Sequence, residues 1–265
     1  MSGLMAASIC ASRSARTMIL VLSGEGPTDL GTKAPKKTGL EFVPGPMAWI
    51  IDRLLARRDK LGYSILELHA SGGDCVCLLS EGELSALRPP KPIYLPRGED
   101  IPGNQYFRVG AILLGKHAKA IAIERSAPVI AVLFRDADGT RSTPRSAWQS
   151  KFTSMQHGFK DADFLSGVPM VPRPKSEAWM LCGLLKREDA GRDCGWLEDE
   201  PGNDASPRSL KGQLAKHLNC EPTVEQQAEL VSGGQVDPAL IDLDSFKAFR
   251  GELDRAYKCA APPLN

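Results

Sequence analysis

The sequence predicts an α/β fold with a mostly parallel sheet flanked by helices, and two observations carry that expectation. The apolar runs ILVL (residues 19–22) and APVIAVLF (127–134) lack the alternation of a half-exposed strand and suit strands buried on both faces. Between and after them lie segments with the i, i+3, i+4, i+7 apolar spacing of amphipathic helices. Strands that alternate with helices pair in parallel through crossover connections.

The elements follow in chain order. ILVL runs into SGEGPTD, so the first strand delivers Glu25 and Asp29 to its own C-terminal edge. GTKAPKKTGLEFVPGP reads as a Lys/Pro/Gly excursion. MAWIIDRLLARRDKLG carries apolar residues at 47, 50, 51, 54 and 55 and stops at Gly62, which makes it a helix. YSILELHA is expected to be a short second strand. Residues 72–104, rich in proline and glycine, read as an insertion in which Pro89 and Pro90 force extended backbone. QYFRVGAILLGKHAKAIAIERS has helical spacing, and APVIAVLF is the buried strand that follows it. GVPMVPRP is a weaker, edge-like strand because proline removes ladder donors, and KSEAWMLCGLLKRE is a helix. PRSLKGQLAKHLN, TVEQQAELV and DSFKAFRGELDRAYK add short helices. The last has an apolar stripe at Phe246, Phe249, Leu253 and Tyr257, suited to packing on its own core or to docking on another chain. The expected organisation is an α/β domain over residues 18–187 and a C-terminal helical extension over 188–265. The Ser/Ala/Arg-rich residues 1–17 read as a disordered tail or an over-long start.

Composition narrows the function classes. In 265 residues, 33 basic and 32 acidic side chains leave a formal charge of +1, so a polyanion would have to be held by a local patch. The 42% hydrophobic content is that of a globule with a core. Seven cysteines at 10, 75, 77, 182, 194, 220 and 259 form no CxxC pair, which argues against a zinc site or a disulfide framework and for a reducing, cytoplasmic setting. No apolar run has the roughly 18 residues of a membrane span.

The acids gather where a parallel sheet collects chemistry, at the C-terminal strand ends. Glu25 and Asp29 follow the first strand, Asp136 and Asp138 of FRDADG follow VIAVLF, and Glu177 lies in the first turn of the helix after GVPMVPRP. Such carboxylates repel one another unless cations neutralise them, and oxygen ligands favour hard ions, Mg²⁺ or Mn²⁺. Each acid also has a plainer role. Glu25 could cap a following helix, Asp29 and the Asp136/Asp138 pair could be turn residues, and Glu177 could complement a helix N-terminus. Among the basic residues, Arg141 and Arg145 follow DADG, and Arg173 and Lys175 precede Glu177, positions suited to phosphate contact. Solvated loop charge is the plainer account of any one of them. Lys33, Lys36 and Lys37 form the densest basic run. The four histidines lack ligand spacing.

GEGPTD after a first strand and DAD after a later buried strand resemble the Toprim domain of topoisomerases, bacterial primases and OLD-type nucleases, in which a Glu in a small-residue turn and a DxD pair form the signature. Glu25 matches the Glu; Asp136 and Asp138 match the pair. With PRPKSEAWML and SFKAFRGEL, the pattern over residues 18–255 looks most like small stand-alone Toprim-like bacterial proteins encoded beside ATPases, which include candidate antiphage effectors. The long stretch between Gly72 and Asn104 departs from the fuller Toprim pattern. The resemblance implies a Mg²⁺- or Mn²⁺-dependent nuclease acting on DNA or RNA and gated by a partner ATPase, with Glu25, Asp136, Asp138 and Glu177 as catalytic residues; Asp29, from its place after the first strand, is a further candidate ligand. Water is the expected nucleophile, since no side chain stands out for covalent attack.

Two alternatives belong to other classes. DADGT (residues 136–140) matches the DxDGT signature of haloacid-dehalogenase-like phosphatases, in which the first Asp is the nucleophile and the second a general acid. The motif sits mid-chain, RSTP is not the usual apolar continuation, and SGEGPTD would go unexplained. The other is a Toprim-like module that binds without turnover.

Overall fold

A computed structural model describes residues 17–36, 39–58, 61–95, 104–138 and 145–261; the side chains of residues 36, 39, 145 and 146 fall outside that description. Four strands form one parallel sheet: β1 (Ile19–Gly24), β4 (Val76–Leu79), β5 (Val129–Phe134) and β6 (Gly167–Met170), in the order β4-β1-β5-β6. β2 (Gly31–Lys36) and β3 (Gly39–Pro44) form a separate antiparallel hairpin.

Strand alternation sorts the core into two layers, because successive side chains point to opposite faces. Leu20, Leu22, Ile130, Val132, Phe134, Val168 and Met170 face one cluster, whose helices are α1 (Pro46–Ala56), α2 (Ile65–Ala70), α6 (Ser176–Glu188), α7 (Leu210–Leu218), α8 (Val224–Ser232) and α9 (Asp244–Ala260). Ile19, Val21, Val129, Ala131 and Leu133 face the other, built with α3 (Glu81–Ala86), α4 (Gln105–Arg125) and α5 (Arg145–Asp161). The sheet is thus covered on both sides, which is why its central strands read as unbroken apolar runs. Between the covering helices α4 and α5, Arg108 is buried and its Nε lies 2.7 Å from Asp161.

Chain direction sets the position of the crevice. The connection leaving β1 passes through α1 and α2 on one face to reach β4; the one leaving β5 passes through α5 on the other face to reach β6. Adjacent parallel strands whose outgoing connections diverge to opposite faces leave a gap beyond their C-terminal ends, the topological switch point of an open α/β sheet. Here it lies between β1 and β5.

Several expectations are corrected. YSILELHA is helical, not a strand: Asp52, buried on α1, accepts from Ser64 Oγ (2.7 Å) and from the amides of Ile65 (2.7 Å) and Leu66 (3.2 Å), satisfying the first turn of α2. The second strand is instead VCLL, within the stretch read as an insertion; it forms one edge of the sheet, opposite the edge formed by β6 as expected of GVPM, and is followed by α3 with a Ser80/Glu83 capping box. The excursion after β1 is the hairpin β2-β3. Helix α5 was not expected from the sequence.

The α9 stripe packs inward. Phe246, Phe249, Leu253 and Tyr257 are buried, and Trp179 of α6 stacks on Phe249 with centroids 5.4 Å apart and meets Phe246 edge-on. The helices after residue 188 therefore share one core with the sheet. No described helix is long and apolar enough to cross a membrane.

Candidate metal centre

The Glu25–Asp29 turn is fixed from below by the hairpin and α1. The Gly45 amide donates to Leu30 O (3.1 Å), and the Met47 amide, in the first turn of α1, donates to Asp29 O (2.9 Å). The approach requires glycine: a Cβ at Gly45 would lie 2.2 Å from Thr28 O and 2.4 Å from Asp29 O.

Beyond β5 the chain continues the ladder. The amides of Arg135 and Ala137 donate to the carbonyls of Met170 and Pro172, each at 3.0 Å, and that of Asp138 donates to Pro174 (3.1 Å). The intervening Asp136 amide points the other way, across the switch point, and donates to the Glu25 carboxylate. Glu25 is thereby held against the tip of β5.

The N-terminus of α6 closes the far side. The Ser176 amide donates to Asp136 Oδ1 (3.1 Å), and Ser176 Oγ donates to Asp29 Oδ1 (2.6 Å). One serine thus ties together the acids that follow two different strands, at the positive end of a 13-residue helix. Glu177 follows it, and its Oε2 is sealed from solvent without a hydrogen-bond partner. Asp138 is exposed at the rim, on left-handed backbone with φ +49°.

The electrostatics are those of a crowded anionic site. Burial pushes the Asp136 carboxyl well above the ordinary range, and the charges of Asp29, Glu177, Glu25 and Asp138 push it in the same direction. Burial also raises Glu25, Asp29 and Glu177. The donors are all oxygens, one buried carboxylate oxygen has no partner, and the acids oppose each other's ionisation. A hard divalent cation would relieve all three conditions, so the residues fit Mg²⁺ or Mn²⁺. No three of these carboxylates bring their oxygens within 4.8 Å of one another.

The basic residues divide. Arg173, expected at a phosphate, is buried and engaged within the fold: its Nε donates to Glu198 O (3.0 Å), and its guanidinium pairs with Asp199 (2.8 Å) and Glu198 (3.5 Å). Lys175 pairs with Asp204 (2.9 Å) and lies within the field of Glu177 and Asp136. Arg141 lies outside the described residues, as does the Arg145 side chain. Two cations escaped notice in the sequence. Arg135, buried under Tyr106, lowers the raised Glu25 pKa; Lys151 of α5 donates to Ala137 O (2.5 Å), between the paired aspartates. Position immediately after the buried strand was the available signal for Arg135; for Lys151 and Ser176 there was none, since both arrive from other elements.

Fold and site define an α/β protein with a carboxylate cluster at the switch point of a parallel sheet. Comparison with protein-family models, curated proteins and solved structures returns no match.

Proposed function

We propose that the chain is a metal-dependent nuclease that hydrolyses phosphodiester bonds of DNA or RNA, using Mg²⁺ or Mn²⁺ held by Glu25, Asp136 and Glu177, with Asp29 and Asp138 completing the anionic surface. The observation that carries this is the position of Asp136, at the switch point among four other carboxylates and bonded to the α6 N-terminus. When bound, the ion would polarise the phosphate and lower the pKa of an attacking water.

The chain's own residues have separable tasks. Glu25 is oriented by the Asp136 amide, and Ser176 holds Asp29 and Asp136 in register. To Asp138, exposed at the rim, we assign the role of accepting the proton of the attacking water. Lys175 offers an ammonium beside the cluster for a phosphate oxygen once Asp204 is displaced. The defence setting and the partner ATPase rest on the Toprim resemblance alone, and the α9 stripe, buried in the core, lends them no docking surface.

Supercoiled plasmid and single-stranded RNA incubated with Mg²⁺ or Mn²⁺ provide the test, with p-nitrophenyl phosphate in parallel. Cleavage of a nucleic acid, lost in Asp136→Asn and in Glu177→Gln, with no phosphomonoester turnover, is expected. Phosphomonoester turnover lost in Asp136→Asn would assign DADGT to the phosphatase class instead.

A further inference from the structure

A second constellation lies in the layer beneath α6, away from the strand ends and different in chemistry. Cys182, midway along α6, and Cys194, in the loop that follows, are both fully buried. Asp242, just before α9, reaches the same point from a third segment. One ligand atom from each of the three lies within 4.8 Å of the other two, and Cys182 Sγ is 3.8 Å from Asp242 Oδ1. A tetrahedral Zn²⁺ with bonds of about 2.3 Å to sulfur and about 2.1 Å to oxygen sets its ligand atoms roughly 3.5 to 3.8 Å apart.

The surroundings supply what a ligand set needs. Lys186, one turn beyond Cys182, is 2.7 Å from Asp242 Oδ2 and donates to Ala190 O (3.2 Å). It therefore orients the carboxylate and leaves the other oxygen, Oδ1, directed at the thiol. Two thiolates, one carboxylate, the Lys186 ammonium and one Zn²⁺ are together electrically neutral, so the group can be buried without net charge. Asp242 is 45% exposed, which leaves a side open for entry and for water as the fourth ligand.

We propose that Cys182, Cys194 and Asp242 form a zinc site that fastens the loop after α6 to α6 and to the start of α9. Each thiol gives up its proton to solvent as its sulfur binds the ion. Thiolate ligands select this ion over Mg²⁺, so the two centres draw on different metals. The loop so fastened leads into residues 198 and 199, which grip Arg173 just ahead of the candidate metal centre. The site stands or falls independently of the nuclease proposal.

The probe is Co²⁺, added to reduced, metal-free full-length protein in which Cys220 and Cys259 are replaced by Ser. A sulfur-to-cobalt charge-transfer band that saturates at one equivalent and is displaced by Zn²⁺ is expected, with a rise in Tm. Cys182→Ala and Cys194→Ala should abolish the band. Should those variants fail to fold, Asp242→Asn, a change at a partly exposed residue that leaves both buried thiols in place, should weaken Co²⁺ binding roughly tenfold or more. No band in the reduced parent, a band that survives Cys194→Ala, or a Cys182–Cys194 disulfide in the protein as isolated would each overturn the proposal.

Discussion

Asp136 shows how one residue can be structurally costly and functionally apt. It receives a helix amide, yet burial and four neighbouring acids disfavour its charge. An acid with a raised folded-state pKa binds its proton more tightly folded than unfolded. Its contribution is therefore most favourable at low pH and is lost as pH rises from the ordinary carboxylate value of about 4 through the raised value. Without metal, Asp136→Asn should melt above the parent, and the gap should widen as pH rises through that window; a gap that is constant or negative would remove the crowding argument. Lys175 acts in the opposite sense, since its ammonium repels a cation from Glu177 and Asp136. Lys175→Met should tighten Mn²⁺ binding about fivefold, for an interaction of about 1 kcal/mol, while slowing cleavage at saturating metal. Isothermal titration and a nicking assay on the same sample separate the two effects. Glu25 and Asp136 were legible in the sequence because each lies within two residues of the end of a buried strand. Ser176, Lys151 and the Cys182/Cys194/Asp242 group were not, because tertiary packing and no local spacing brings them into place.

At the scale of elements, legibility followed length and local sufficiency. The central strands and helices α1, α4, α6 and α9 carry patterns long enough to declare themselves. YSILELHA did not: its six helical residues are too few for a periodic pattern, and although Ser64 caps them locally by accepting from the Glu67 amide (3.0 Å), the first turn also relies on Asp52 from another helix. VCLL was hidden by its brevity and its Gly- and Pro-rich surroundings. Two contacts between elements give sharp expectations. Gly45→Ala forces a Cβ onto the backbone of Thr28 and Asp29, so it should destabilise by about 1–3 kcal/mol and weaken Mn²⁺ binding by shifting the acidic turn. Arg173→Ala strands the buried Glu198 carboxylate, which also accepts from the Ser245 amide (2.7 Å), and should cost about 3–5 kcal/mol. Urea titrations check both. A loss below about 0.5 kcal/mol in the second case would mean that Arg173 is not structural.

For the whole molecule, the sheet and the C-terminal helices share one continuous core on one face. Leu210, Leu214, Val231, Phe246 and Phe249 complete the cluster that covers Leu22, Ile130 and Trp179. A chain ending at residue 187 exposes that surface and should be insoluble or unfolded, whereas two independent domains would leave residues 18–187 folded; circular dichroism and thermal melts of the truncated chain decide. The formal charge of +1 gives little long-range attraction to a polyanion, so the nucleic-acid binding that the proposed function requires would fall to local cations and should weaken with salt. On the proposed function, the carboxylates at the β1/β5 switch point hold a divalent cation. Crystals soaked in Mn²⁺ and measured for anomalous scattering test it most directly. A peak beside Asp136, in the crevice it shares with Glu25 and Glu177, that disappears in Asp136→Asn crystals is expected, and full Mn²⁺ occupancy elsewhere with no peak in this crevice would contradict it.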